Sequence, residues 1–406
     1  MRKLAALLIY AMCSAALGQN TSPALKALAE AHRWAELREA AAKNDHATFY
    51  RGLAAAVFNE PEAERLLWSV IRDEPHSQEA YQAYDWLSNI YIKTGRYESL
   101  TRLMDARWTA FPDKKDVASE KKSLAPFRGL PDQKNGPLRS STLRHPEGSF
   151  QVSLTVNRRP VKFFFDNGAD FSCISELEAK RLGMEVRETK GSVGTMTNDA
   201  SFRMAVAHDV TIGRMHFRDV SFAVFPDDQE PWSLAKLGER GIIGLPLVVG
   251  VGTLHWRADG TITIGEKPQQ LDAQRANLFF GDGHHVVLKA GFQGQEILTA
   301  LDSGAMTTDI YASFAERFAE YLKKNGTPGR NEIRGIGGAE TYDSIEVPEL
   351  RFELGGREVL LKPAHVYTKQ SSPRKWIMAN FGKDLLTQTP GFAIDFGAMR
   401  LTLEAP

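Results

Sequence analysis

The chain has 406 residues, and its 50 Lys and Arg are balanced by 50 Asp and Glu, so the formal net charge at neutral pH is zero. That length suits two or three domains, each large enough for its own core. The charge balance argues against a nucleic acid or an anionic membrane as the main partner.

Arg2 and Lys3, the apolar stretch Leu4 to Leu17, and the small residues Ala15, Ala16 and Gly18 read as a secretory signal over residues 1–18. The apolar part is shorter than the ~20 residues of a membrane span. A retained anchor is the alternative, because signal and anchor differ mainly in length and flanks. Cys13 follows Met12, not the small residue a lipidation site wants, so Cys173 is the only cysteine left after cleavage. The mature protein is expected to be exported, periplasmic or secreted, and to hold together without an internal disulfide.

Residues 19–112 are rich in Ala, Leu, Glu and Arg and nearly free of glycine, which predicts helices. Tyr84, Leu87, Ser88, Tyr91, Gly95, Tyr97 and Pro112 fall at the spacings of a helical pair, and the stretch resembles a tetratricopeptide repeat. Pro61 to Pro75 resembles the second helix of a degenerate earlier copy. So few repeats cannot bury a face alone, so the helices should pack on each other or on the rest of the chain. The resemblance implies a docking surface for a protein partner; a packing role alone fits the aromatic spacing as well. Residues 113–148, dense in Lys, Ser, Pro and Gly, read as a linker.

Beyond residue 148 the chain repeats itself. Phe163-Phe164-Phe165-Asp166-Asn167-Gly168-Ala169 is matched by Leu298-Thr299-Ala300-Leu301-Asp302-Ser303-Gly304-Ala305, and each copy has a later apolar run closing on glycine. These runs are Gly241-Ile242-Ile243-Gly244 and Trp376-Ile377-Met378-Ala379-Asn380-Phe381-Gly382, placing Gly244 78 residues after Asp166 and Gly382 80 after Asp302. A whole folding unit is therefore duplicated, as lobes over residues 149–267 and 268–406. In the first, an alternating strand from Ser149 to Val156, a turn at Asn157 to Pro160 and a buried strand from Val161 to Phe165 lead into the aspartate. In the second, His285 to Leu288, a turn near Gly291 to Gly294, and Ile297 to Leu301 do the same. Short helices are expected over Glu176 to Leu182 and Ala312 to Lys323. Glycine-rich hairpins then follow, around Ser192, Val193 and Gly194 in one lobe and Gly335, Ile336 and Gly337 in the other.

This pattern resembles the aspartic proteases of the pepsin and retropepsin type, over roughly residues 148–404. The resemblance implies a mainly β, two-lobed acid-protease fold behind the N-terminal helical domain. It also implies a catalytic pair, Asp166 and Asp302, that activates water to hydrolyse a peptide or protein substrate. Two carboxylates within hydrogen-bonding distance share one proton, so one serves as base and the other as acid, and neither metal nor cofactor is needed. Retropepsin hairpins of this kind are flaps over the bound peptide. A flap in each lobe looks more like a fused retropepsin dimer than like pepsin. After Gly382, Lys383-Asp384-Leu385-Leu386 resembles a structural retropepsin motif, which the first lobe replaces with Leu245-Pro246. Asn167 stands where the family has Thr or Ser, and its longer amide is expected to shift the interlock between the loops and weaken catalysis. A peptide-binding module that does not cut is the rival reading. Ala169 and Ala305 stand where pepsin-like members often carry a hydroxyl that donates to an aspartate, which implies activity at weakly acidic to near-neutral pH.

Other motifs carry less. Gly250-Val251-Gly252 and Gly335-Ile336-Gly337-Gly338 lack the following helix a phosphate loop requires. His284-His285 beside Asp282 reads as a solvated turn, since neighbours in a strand face opposite ways. Cys173 reads as a small buried hydrophobe, and Trp256 and Trp376 as core.

Overall fold

The computed structural model describes residues 23–146, 149–194, 199–335, 338–369, 372 and 374–405; the expected signal lies outside them. Helices run through residues 23–30 (α1), Trp34–Ala42 (α2), Thr48–Val57 (α3), Ala63–Asp73 (α4), Gln78–Lys93 (α5), Tyr97–Ala110 (α6) and Val117–Leu124 (α7). Ser77 starts α5 by accepting the Ala80 N–H at 2.9 Å, and Gly95, at φ +68°, makes the left-handed turn into α6. Tyr84, Leu87 and Tyr91 of α5 are buried, and so is Tyr97 of α6, whose ring packs 5.2 Å from that of Phe127. The outer side of the layer docks on the second lobe. Trp34 and Phe58 pack against Phe279, with ring centroids 4.7 and 5.6 Å apart, and the Lys93 ammonium sits 3.7 Å over the ring of Phe280. Among the described residues no helix is long and apolar enough to cross a membrane.

The segment 113–148, expected to be a linker, is structured instead. It contains α7, a turn of 3₁₀ helix at Ala125–Phe127, and two short strands. Lys134–Asn135 pairs with Phe217 and Arg218 of the first lobe, and Ser141–Arg144 pairs antiparallel with Thr261–Ile264. Its polar composition suits sheet edges, where half of each strand faces water.

Both lobes are built from β-sheet with short helices. In the first, Arg159–Phe165 runs antiparallel to Gln151–Val156 and parallel to Gly241–Ile243. In the second, Gln295–Leu301 runs antiparallel to Val286–Phe292 and parallel to Ala379–Phe381. The turns joining the antiparallel pairs, Asn157-Arg158 and Gln293-Gly294, have both residues at positive φ, the hairpin geometry that matches strand twist. A third sheet joins the lobes. Its strand order is Ser141–Arg144, Thr261–Ile264, Thr253–Arg257, Gly391–Asp395 and Arg400–Leu403, with Leu254 beside Ile394 where the lobes meet. Trp256 is buried there and donates to Ser149 O at 3.1 Å, while Trp376 is half-buried and stacks on His32 of the helical layer.

Candidate active site

Each aspartate follows the last residue of a central strand. Asp166 N–H donates to Ile243 O and Asp302 N–H to Phe381 O, both at 2.9 Å, so each loop leaves its sheet between two parallel strands. Two glycines per lobe make this possible. A Cβ on Gly244 would strike the backbone of Phe171, and one on Gly382 the backbone of Thr307 and Ala305. Gly168 and Gly304 are constrained from across the seam, since a Cβ on the first would fall on the Asp302 carboxylate and on the second on that of Asp166. The duplicated aspartates therefore face each other over a crossing that only glycine fits.

The carboxylates are held by mirrored backbone donors. Gly168 and Ala169 N–H reach Asp166 Oδ1 at 2.8 and 3.2 Å, and Gly304 and Ala305 N–H reach Asp302 Oδ1 at 2.9 and 3.0 Å. Burial raises the Asp166 carboxyl well above the ordinary range; the charge of Asp302 and a hydrogen bond between the two add to this, against the Gly168 and Ala169 donors. The pair is not symmetric, because Asn380 Nδ2 donates to Asp302 Oδ2 at 3.0 Å whereas the matching residue beside the Asp166 strand is Ile242.

The loops interlock through Asn167 and Ser303, both buried. Asn167 N–H donates to Ser303 Oγ at 3.1 Å, and Ser303 Oγ donates to Phe165 O at 3.1 Å. In return Ser303 N–H donates to Asn167 Oδ1 at 2.9 Å, and Asn167 Nδ2 donates to Leu301 O. The expectation that Asn167 disturbs the interlock is therefore corrected. Its amide splits donor and acceptor between two atoms and makes the same two bonds that Ser303 makes with one hydroxyl.

Behind the loops the two lobes repeat one arrangement with different residues. Leu245 N–H donates to Ala169 O and Lys383 N–H to Ala305 O, each at 2.8 Å. Gly244 N–H donates to Ser172 Oγ at 3.1 Å and Gly382 N–H to Thr308 Oγ1 at 3.0 Å. In the second lobe alone, Asp384 accepts from Thr308 N and Oγ1 at 2.9 and 2.7 Å, the structural role its motif implied.

The described parts of both expected flaps are antiparallel hairpins. Gly191–Gly194, which includes Ser192 and Val193, pairs with Asp199–Phe202. Thr327–Gly335 pairs with Gly338–Val347, closing at Gly335 opposite Gly338. Ile336 and Gly337 lie outside the described residues. At the base of the first hairpin, Gly191 lies against Phe202 and Pro126. From the second, Asn331 Nδ2 donates to Tyr367 Oη at 2.8 Å, and Tyr367 in turn donates to Asp309 at 3.0 Å.

Residues 152–237, which hold Asp166 and its loop, match the family model described as gag-polyprotein putative aspartyl protease. The fold is that of a retropepsin-like aspartic protease. No curated protein matches the chain. Among solved structures it is similar to a retropepsin-like aspartic protease from Rickettsia conorii, at 16% identity over 33% of this chain and 92% of that one, with a TM-score of 0.23.

Two acidic groups beside the paired aspartates carry no signal in the sequence. Burial pushes Asp309 up to about 6; the Tyr367 bond opposes this, and Asp302 and Asp384 reinforce it. Asp170 leaves the Asp166 loop toward His284 and His285 of the other lobe, with each Nε2 3.6 Å from its Oδ1. Burial opposes its ionisation, but the hydrogen bond and charge of His284, with the charge of His285, hold its carboxyl below the ordinary value. The histidines do not face opposite ways as expected. They precede the strand that begins at Val286, and their rings lie 3.9 Å apart. Cys173 is buried, and burial pushes its thiol up, away from the reactive thiolate. Asn380 was findable by aligning the two copies; Asp170 needs the fold, since its partners lie more than 110 positions away.

Proposed function

We propose that the protein is an aspartic endopeptidase that hydrolyses peptide bonds with water activated by Asp166 and Asp302. The observation that carries this is the facing of two mirrored, backbone-held carboxyl groups over an interlock complete on both sides. The roles we propose follow the asymmetry of the pair. Asp166, which has Ile242 where Asp302 has the Asn380 donor, holds the shared proton and donates it to the scissile carbonyl oxygen. Asp302, oriented by Asn380, takes the proton of the attacking water. Because the two groups titrate together, the pH limits of activity belong to the pair.

Substrate lies extended between the lobes, bound by main-chain hydrogen bonds and covered by the hairpins around Val193 and Ile336. The helical layer serves as a surface for a protein partner, and the N-terminal signal directs the enzyme to the periplasm or the exterior. The rival reading, a peptide-binding module that does not cut, rested on Asn167, whose bonds are those a hydroxyl would make.

The test incubates the purified protein with a mixed peptide library across pH, with and without a statine-type inhibitor. Inhibitor-sensitive cleavage that disappears in Asp166→Asn and in Asp302→Asn, with near-UV circular dichroism unchanged, supports the proposal. Peptide binding without cleavage at any pH, or most of the activity surviving in either variant, refutes it.

A further inference from the structure

The structure assigns a second site, for a zinc-class divalent transition-metal ion, to Asp170 of the first lobe and His284 and His285 of the second. One ligand atom from each residue lies within 4.8 Å of the others, and each Nε2 stands 3.6 Å from Asp170 Oδ1. Ligands at about 2.0–2.2 Å from a tetrahedral ion are separated by roughly 3.4 Å, so the two Asp170–histidine pairs are already near that value, and the two histidine ligand atoms, within 4.8 Å of each other, close toward it on loading. Two imidazoles and one carboxylate, leaving a fourth position for water, form a ligand set suited to zinc and poorly suited to Mg²⁺ or Ca²⁺.

The surroundings fit as well. The side chains of Asp170, His284 and His285 are 34%, 15% and 30% exposed, open enough for an ion to enter yet withdrawn from bulk solvent. His284 Nδ1 is buried with no partner among the described residues, so what aims this ring is what its Nε2 faces. Behind His285, Asp282 Oδ2 lies 3.3 Å from Nδ1, the carboxylate–histidine pairing that fixes a ligand's tautomer and raises its basicity. Asp282 is in turn held by an ion pair with Arg374 and by Asn89, which donates to its backbone carbonyl at 2.5 Å. Arg374 Nη2 also approaches the His285 ring, 2.6 Å from Nδ1 and 3.3 Å from Nε2, and turns away from both nitrogens when an ion enters. In the loaded site Nδ1 carries the proton and turns it to Asp282, leaving Arg374 its carboxylate partner. The matching position in the second lobe, four residues after Asp302, is Met306, so the pseudo-twofold mate has no such set. The ion would staple the two lobes beside the dyad, where the helical layer reaches them through Asn89.

The full chain, stripped with a chelator, is titrated with Zn²⁺ by calorimetry and with Co²⁺ by visible absorption. One equivalent should bind, Co²⁺ should show the intense bands of tetrahedral coordination, excess Mg²⁺ should leave them unchanged, and Zn²⁺ should raise the melting temperature. Asp282→Asn should weaken binding by about 10–100-fold, and His284→Gln or His285→Gln by more. Circular dichroism identifies any variant that does not fold, and the remaining ones carry the comparison. Absence of saturable binding, an octahedral Co²⁺ spectrum, or affinity retained in the folded histidine variants would overturn the assignment. None of these readings depends on peptide cleavage.

Discussion

Replacing Asn167 with alanine tests the interlock directly. The amide satisfies two buried backbone groups of the opposite lobe, Ser303 N–H and Leu301 C=O. Alanine would leave both without a partner, and each orphaned group costs about 1–3 kcal/mol. The expected loss of ~2–6 kcal/mol is a large part of the ~5–15 kcal/mol that typically holds a domain together. Activity should fall as well, because a misplacement of about 1 Å between reacting groups costs on the order of 100-fold. Threonine makes the contrasting case. Ser303 Oγ accepts from the opposite backbone N–H and donates to the opposite carbonyl, and a hydroxyl at position 167 would do the same toward Ser303 and Leu301. Asn167→Thr should thus stay within about 1 kcal/mol of the parent and keep most of its turnover. Urea unfolding and peptide hydrolysis read both effects. An alanine variant that loses less than ~1 kcal/mol, or a threonine variant as damaged as the alanine one, would show that these bonds do not hold the seam.

Three further outcomes follow from the titrating groups. Lys93 is buried over Phe280, and burial with the nearby Arg96 lowers its ammonium to about 7. The unfolded chain then binds more protons between about pH 7 and 10, so stability should rise with pH across that window; Lys93→Met should remove the slope and stabilise the protein at pH 6 by up to ~5 kcal/mol, which denaturant melts at pH 6 and 9 would check. Asp309, raised to about 6, has the opposite sign: the folded chain holds the extra proton, and stability should fall as pH rises from about 4 to 6. Asp309→Asn, which keeps an acceptor for Tyr367, should match the parent at pH 4 and exceed it by up to ~3 kcal/mol at pH 7; equal stability at pH 7 would contradict this. Finally, the double variant Ala169→Ser, Ala305→Ser gives each aspartate a hydroxyl donor that favours its charged form, so both limbs of the pH–rate profile should move toward acid, and an unmoved profile would remove the argument.

The duplication was legible because its causes are local. A strand that ends in an aspartate, a glycine that admits a carboxylate from across the seam, and a second glycine where two backbones touch must each be written where they act. Asp166 and Asp302 could therefore be paired by spacing alone. Residues 113–148 look like a linker because polar residues in short edge strands resemble loop when their partners, such as Thr261 to Ile264, lie more than 100 positions away. The histidine pair escapes the pattern for a related reason: strand alternation does not extend to residues that precede the strand, which begins at Val286. Asn167 was judged by length against a hydroxyl, but what decides its fit is the position of Leu301 O, 134 residues further on.

The single chain explains where the lobes have parted. A homodimer of one lobe would place the same residue at both halves of every contact across its twofold axis. Fusion removes that constraint, and the differences gather at the seam: Asn167 against Ser303, Ile242 against Asn380, Asp170 against Met306, Leu245-Pro246 against Lys383-Asp384. The first pair preserves one function with two chemistries, since both side chains supply a donor and an acceptor to the opposite backbone. The second gives one aspartate a donor that the other lacks. A symmetric dimer must choose its acid and base anew each time substrate breaks the symmetry. In the proposed mechanism Asn380 makes that choice in advance, and removing its donor, by Asn380→Ile, should leave the interlock untouched while moving the pH–rate profile toward higher pH, since a carboxylate that loses a donor to its charged form titrates higher; an unmoved profile would refute that role.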